Sequence, residues 1–326
     1  SVARALERDV ARLSEAYPRL NLSPLGACAF AGTGWPIDRR MTAELLGFDG
    51  IVDSTLDAVA SRDYVAEVLW CAAQLSVTLS RLAADLYLWS TDEFGYVEVA
   101  DSVAMTSSIM PQKKNPITLE HVKAKASHVV AAALSPLVVQ KATPFIHCRD
   151  LSTESFTPFF GALDEVEAQL HLTRVTVAGL RVRKDLMLRR AAEDFCTATE
   201  LADALVRELG LPFRTAHAIV GNAVAQALER GLRADGMDAA LLTRAAQEVT
   251  GEALAVPNEV VRAALDPVRI VQGRSAEGSA APQETRRLLL SAHRRLAAFR
   301  RQHRDRGDHV GAARERLDQE VAALAA

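Results

Sequence analysis

The chain has little of what would mark it for several large function classes. Its four cysteines, Cys28, Cys71, Cys148 and Cys196, lie far apart with no C-x-x-C pair, and its eight histidines show no H-E-x-x-H spacing. A structural zinc and a disulfide framework are both disfavoured by that spacing, which fits a reduced, cytoplasmic protein. Charge of neither sign prevails, with 38 Lys and Arg against 41 Asp and Glu, so no electrostatic case for nucleic acid follows. No apolar run reads as long enough to span a bilayer, and Ser1-Val2-Ala3-Arg4-Ala5-Leu6-Glu7-Arg8 reads as a charged amphipathic helix and not as a signal peptide. Neither nucleic acid nor membrane is expected as a partner. Strand signals are scarce as well.

What is abundant is helical periodicity. Hydrophobic residues make up 49% of the chain, enough for one large core or two modest ones. Val65, Val68, Ala72, Leu75, Leu79, Leu82, Leu86 and Trp89 alternate by three and four, as do Phe156, Phe159, Leu163, Val166, Leu170, Thr173, Val177 and Leu180. Each is a heptad seam roughly 36 Å long at the rise of an α-helix, which points to an extended bundle. A shorter stripe, Val2, Leu6, Val10, Leu13 and Tyr17, is expected to stop at Pro18. Residues 21–50 break around Gly26, Gly32, Gly34 and Pro36 and read as a connector anchored by Phe30 and Trp35. After Pro116 a helix carries Ile117, His121, Ala124, His128 and Ala131 toward a disturbance at Pro136, and residues 141–153 are irregular and polar.

A composition shift near Leu186 sets a domain boundary at 180–188, followed by shorter helices over Thr197–Glu208, Phe213–Arg230, Met237–Val249 and Gln283–Gln302. The stretch from Arg294 to Arg306 lacks interleaved aromatics beyond Phe299 and reads as a solvated helix face. The expected fold is all-α: a long-helix bundle over residues 1–185 and a smaller C-terminal helical domain over 186–326.

Chemistry concentrates in Thr106-Ser107-Ser108-Ile109-Met110-Pro111-Gln112-Lys113-Lys114-Asn115-Pro116. Pro111 and Pro116 each fix a φ angle and remove a donor, so the segment presents hydroxyls, ammonium groups and a carboxamide on a constrained loop. A solvated Ser/Lys turn is the plain alternative. The irregular connection from Ser90 to Pro116 argues against it, because helix connections in bundles run about 2 to 8 residues and longer ones tend to be functional.

Ser107 to Pro116 matches the S-S-x-M-P-x-K-x-N-P signature of the fumarase/aspartase superfamily, and Met110 to Pro116 resembles its argininosuccinate lyase branch. Leu6-Glu7-Arg8-Asp9, Ser23-Pro24-Leu25-Gly26, Gly32-Thr33, Pro36-Ile37-Asp38-Arg39 and Glu44-Leu45-Leu46-Gly47-Phe48 resemble that branch in order and spacing. So do Thr197-Ala198-Thr199 with Leu201-Ala202-Asp203, and Pro212-Phe213-Arg214 with Ala216-His217. The resemblance implies a fumarase/aspartase-type bundle, a homotetramer with shared active sites, and a lyase that eliminates fumarate from an N-substituted aspartate without metal or cofactor. It implies Ser107 as the base and Lys113 as the cation beside it. Glu120 would orient a family histidine, and Ser108, Met110 and Asn115 would bind substrate.

Two departures bear on this. The family carries glycine where this chain has Thr106, which implies a stiffer loop. A family tyrosine, glutamine and lysine that hold the arginine-like half of the substrate are replaced by His147, Ser152 and Ser155, with Arg149 for a lysine and Asp150 retained. That pattern implies a changed amine, bound by His147, Arg149 and Ser152. The family also has a further N-terminal portion, the source of the histidine paired with Glu120, and this sequence reads as starting after it: a fragment, a split protein or a truncated form. An inactive structural member of the family and a plain helical scaffold are the competing readings.

Overall fold

The computed structural model describes residues 1–325. Helix dominates, and the chain divides into two compact units: Ser1–Arg181 together with residues from Ala292 on, and Val182–Ser291.

The first unit opens with α1 (Val2–Leu20), α2 (Arg39–Leu45) and α3 (Thr55–Ala60) and is built on α4 (Asp63–Trp89), α5 (Ile117–Gln140) and α7 (Phe159–Ala178), with the single turn α6 (Arg149–Ser152) before the last. The 27 residues of α4 contain no Gly or Pro. Of its expected seam, Val65, Val68, Ala72, Leu75, Leu79 and Leu86 are buried, Leu82 is half-buried and Trp89 is exposed. Ala72, Leu75, Leu79 and Leu86 meet Leu119, Val122 and Val129 of α5 and Val166 of α7 in one core, and Val65 packs with Leu69 and Ala162 in a second cluster. A buried Leu or Val contributes about 1.5–3 kcal/mol through the apolar area removed from water.

Several expectations need correction. In α5 the stripe through His121, Ala124, His128 and Ala131 is exposed, and the core face is Leu119, Val122, Ala126 and Val129, the same period rotated around the helix. Pro136 does not disturb α5, which continues to Gln140, whose side chain donates to the Arg62 carbonyl at 3.0 Å. In α7, Leu170 and Val177 are exposed and Ala162, Val166, Gln169 and Thr176 face the core. Two of its buried polar groups reach partners, Gln169 Nε2 donating to the Val122 carbonyl at 2.9 Å and the Thr176 hydroxyl to that of Thr118 at 2.7 Å, while Gln169 Oε1 and the Thr173 hydroxyl are unbonded. Helix α1 passes through Pro18 to Leu20. A proline at that place removes the N–H that would bond the Ser14 carbonyl, and Arg306 Nη2 donates to that carbonyl at 3.2 Å instead. Phe30 and Trp35 are exposed, Trp35 at 79%, and do not anchor the 21–50 connector, which is tied by β1 (Leu22–Ser23) pairing in parallel with β2 (Gly50–Ile51).

By length and composition α5 could also cross a membrane, alone among the described residues in meeting that test. The sequence reading overlooked it. Glu120, Lys123 and Lys125 occupy its first half, Lys125 pairs with Glu165 of α7 at 2.6 Å, and one side of the helix is packed in the core. These are the features of a bundle helix.

The second unit contains α8 (Lys184–Glu193), α9 (Ala198–Leu209), α10 (Phe213–Glu229), α11 (Ala239–Thr250), α12 (Asn258–Leu265) and α13 (Pro267–Gly273). Its core is Leu201, Leu205, Ile219, Leu241, Leu242 and their neighbours. Asp238 caps α11 by accepting from Leu241 N at 2.8 Å, and Gly210 ends α9 at φ +66°, a left-handed state that glycine adopts without steric cost.

The last helix, α14 (Pro282–Ala325), is far longer than the expected Gln283–Gln302, and from Ala292 on it belongs with the first unit rather than with residues 186–291. Long polar side chains attach it. Arg295 Nε donates to Glu7 at 2.8 Å, Ser14 Oγ donates to Gln302 at 2.6 Å, and the Arg306 guanidinium lies 3.8 Å from the Tyr17 ring centroid. The Arg-rich stretch is thus only partly a solvated face. Gly47, at φ +77°, lets α14 approach: a Cβ there would lie 3.2 Å from Val310 Cα.

This attachment sets a pH dependence. Arg295 is the largest influence holding the Glu7 carboxyl below its ordinary value, burial opposes it, and Arg4 adds to the lowering. A depressed carboxylate stabilises the folded state above its unfolded pKa and loses that contribution as pH falls through the depressed value. Below pH about 4, amides of α14 over residues 292–306 should exchange faster while those of α4 stay protected. Equal protection of α14 across that range would show that Glu7 and Arg295 do not hold it.

Candidate active site

The polar loop is a hairpin. Strands β4 (Met105–Thr106) and β5 (Lys114–Asn115) pair antiparallel, Met105 opposite Asn115 and Thr106 opposite Lys114. Ser107 N continues the ladder by donating to the Lys113 carbonyl at 3.3 Å, and Lys113 N closes the turn on the Met110 carbonyl at 3.0 Å. Thr106 sits in extended strand, and Cys28 is the one non-glycine with positive φ among the described residues. The backbone therefore makes no demand for glycine at 106 in this conformation.

Ser107 is half-buried, and its Oγ accepts from Ile109 N at 3.2 Å and Met110 N at 3.1 Å. Two amides aimed at one hydroxyl oxygen stabilise negative charge there. Ser108, Met110 and Lys113 are exposed, and among the described residues the Lys113 ammonium has no ion-pair partner. Asn115 is half-buried at the end of β5. Glu120 lies in the first turn of α5, where unpaired amides and the helix dipole favour a carboxylate.

The sequence reading missed three residues at the base of the hairpin. Lys114 Nζ lies 2.9 Å from Glu98 Oε1, in the short strand β3 (Val97–Glu98), and 2.5 Å from Asp101 Oδ1. Asp101 and then Glu98 raise the Lys114 pKa, and Lys114 lowers that of Asp101. Strand alternation was the available signal, since adjacent lysines in a strand point to opposite faces.

His147, Arg149 and Ser152 lie elsewhere. His147 and Arg149 are exposed and Ser152 is half-buried on α6, where Asp150 Oδ1 accepts from Leu151 N at 3.0 Å. Ser155 is wholly buried with its hydroxyl unbonded, so it lines no open pocket. This segment follows the C-terminus of α5, whereas the hairpin precedes its N-terminus, and α5 of 24 residues is about 35 Å long at 1.5 Å per residue. Packing agrees with that separation: Phe156 packs with Ala132 and Ala133 around the buried cluster of Val65, Leu69 and Ala162, while Thr118 meets Thr176 at the other end. One chain thus gathers Ser107, Ser108, Met110, Lys113, Asn115 and Glu120 around the start of α5 and leaves His147, Arg149 and Ser152 at the far end. Among the described residues no three His, Cys, Asp or Glu side chains converge as a metal site would require.

Residues 1–131 match the family described as Lyase, and residues 195–272 match that described as Argininosuccinate lyase C-terminal. Argininosuccinate lyase 1 of Shouchella clausii is 45% identical over 298 residues, which cover 91% of this chain and 60% of that protein. The argininosuccinate lyase of Methanothrix thermoacetophila is 42% identical over 316 residues, covering 97% and 64%. Among solved structures, EDDS lyase in complex with formate superposes with a TM-score of 0.94 at 36% identity, covering 98% of this chain and 63% of that one. An EDDS lyase variant with bound fumarate gives 0.93. The class II fumarase of Schistosoma mansoni, 14% identical with a TM-score of 0.65, shares the fold. The chain spans about three-fifths of the length of the curated relatives it matches.

Proposed function

The chain belongs to the argininosuccinate lyase branch of the fumarase/aspartase superfamily, and we propose that it serves to release fumarate from an N-substituted aspartate by anti elimination across the carbon–nitrogen bond. The observation that carries this reading is the pair of backbone amides donating to Ser107 Oγ. A free hydroxyl is a weak base. It becomes a competent one only where its oxyanion is stabilised, and two preorganised N–H groups supply part of that stabilisation, with Lys113 the proposed cation.

In the proposed reaction the Ser107 oxyanion takes the proton from the carbon beside the carboxylate. The electron pair left behind gives an aci-carboxylate bearing two negative charges, which the Lys113 ammonium and the Asn115 and Ser108 donors stabilise. The pair then forms the double bond of fumarate as the carbon–nitrogen bond breaks. The amine leaves with a proton delivered on the opposite face, where Glu120 orients the donor. Met110 borders the fumarate half, and His147, Arg149 and Ser152 bind the amine half. Likeness to an EDDS lyase alongside the argininosuccinate lyases supports an amine other than the one argininosuccinate carries.

Since about 35 Å of α5 separates the two halves within one chain, the complete site in this proposal draws them from different copies of a homotetramer. The exposed apolar side chains Val130, Leu134 and Leu137 of α5, Trp70 and Val77 of α4, and Leu170 and Val177 of α7 support such an assembly. Mixing tests it. Full-length Ser107→Ala and Arg149→Ala proteins, each inactive alone, should recover a substantial fraction of fumarate release when co-expressed, because some mixed sites carry both native halves. No recovery, with mixed oligomers verified by native mass spectrometry, would show that each site comes from one chain.

A further inference from the structure

We propose that Lys114 is a positioning residue that fixes the catalytic hairpin against the chain preceding it, so that Ser107 and Lys113 meet the substrate at a set distance. This rests on the lyase reading above. The hairpin needs such a tether. Its ladder has only the two residue pairs and the Ser107 N bond, its tip is open with Ile109 87% exposed, and among the described residues no side chain of 107–113 bonds outside the loop. A loop so lightly attached would sample many orientations, and a reacting group displaced by an ångström loses most of its rate advantage.

Strand geometry assigns the two lysines opposite tasks. Successive side chains along β5 alternate faces, so Lys113 and Asn115 share one face and Lys114 lies on the other. Thr106, directly across from Lys114, shares its face. The face that carries Lys113 and Asn115 is left to the ligand, and the opposite face is tied down by Lys114 through Glu98 and Asp101. The two arms differ. Glu98 is 34% exposed and Asp101 90%, so Glu98 gives the tether its geometry and Asp101, open to water, adds little beyond charge.

The test separates this inference from the lyase reading. Amide exchange in the purified chain reports on the hairpin whether or not the protein turns over. In Lys114→Met the amides of Ser107, Ile109, Met110 and Lys113 should exchange about tenfold faster with the α4–α5 core unchanged. Lys114→Arg should restore most of the protection, and Glu98→Gln should reproduce the loss without altering the lysine. In the full-length enzyme Lys114→Met should lower kcat about 10- to 100-fold with KM nearly unchanged, the mark of lost positioning rather than lost binding. Native exchange rates at these amides in both Lys114→Met and Glu98→Gln overturn the proposal, as does unchanged kcat in a Lys114→Met enzyme. If the native full-length protein releases no fumarate, the lyase reading fails and the exchange data alone decide the tether.

Discussion

Ser107→Ala should lower fumarate release by about 10³-fold in the full-length protein, the loss expected for a general base with no replacement. The amide donors of Ile109 and Met110 would then point at a methyl group, so the substitution removes the base and strands two polar groups. Ser108→Ala and Lys113→Met act on the carboxylate and its developing charge. They should chiefly weaken substrate handling, with Lys113→Met also cutting kcat because the aci-carboxylate forms only in the transition state. The reverse reaction, addition of an amine to fumarate, offers a second assay with the same order of effects. A Ser107→Ala enzyme retaining near-native turnover, with its loop intact by amide exchange, would take serine out of the mechanism.

Argininosuccinate should be a poor substrate. Binding a guanidino group and an amino-acid head requires fixed acceptors and donors. In the proposed reading His147, Ser152 and Ser155 stand where the family's tyrosine, glutamine and lysine are expected. Each buried polar group left without its partner costs about 1–3 kcal/mol, and three together would lower turnover on the order of a thousandfold or more if they added. Burial of Ser155 strengthens the expectation, since a hydroxyl closed off from solvent can replace nothing a lysine did. Exposed His147 and Arg149 suit an amine that bears its own acid group. A panel of N-substituted aspartates, assayed for fumarate, should rank such compounds above argininosuccinate. Efficient cleavage of argininosuccinate would mean that this segment does not hold the amine.

Local spacing made the helices and the hairpin residues legible. The seam of α4 could be read directly because its apolar residues repeat every three or four positions without a break, and six of its eight members are buried. The same method was only partly right for the seam from Phe156 to Leu180, where Phe156, Phe159, Leu163, Val166 and Leu180 pack inward while Leu170 and Val177 are exposed, and the stripe it picked out on α5 lies on the exposed side. Those helices carry apolar residues on more than one side, Val130, Leu134 and Leu137 on α5 and Leu170 and Val177 on α7, and periodicity cannot rank two apolar faces. Proline was over-read as well. Pro18 interrupts nothing, because a guanidinium from nearly three hundred residues away takes the carbonyl it leaves free.

Residue order alone was enough to specify a helical chain, through residue period, and the resemblance of Ser107 to Pro116 to a known signature implied the fumarase/aspartase type; both are written in short-range order. Folding settled whatever depends on distance across the molecule. It alone tied Lys114 to Glu98 and Asp101, and drew α14 from Ala292 on against α1. It also put the hairpin and the His147–Ser152 segment at opposite ends of α5. The physical reason is the same in each case. A hydrogen bond or ion pair reaches about 3 Å whatever the number of residues between its partners, and that number is all a linear sequence displays.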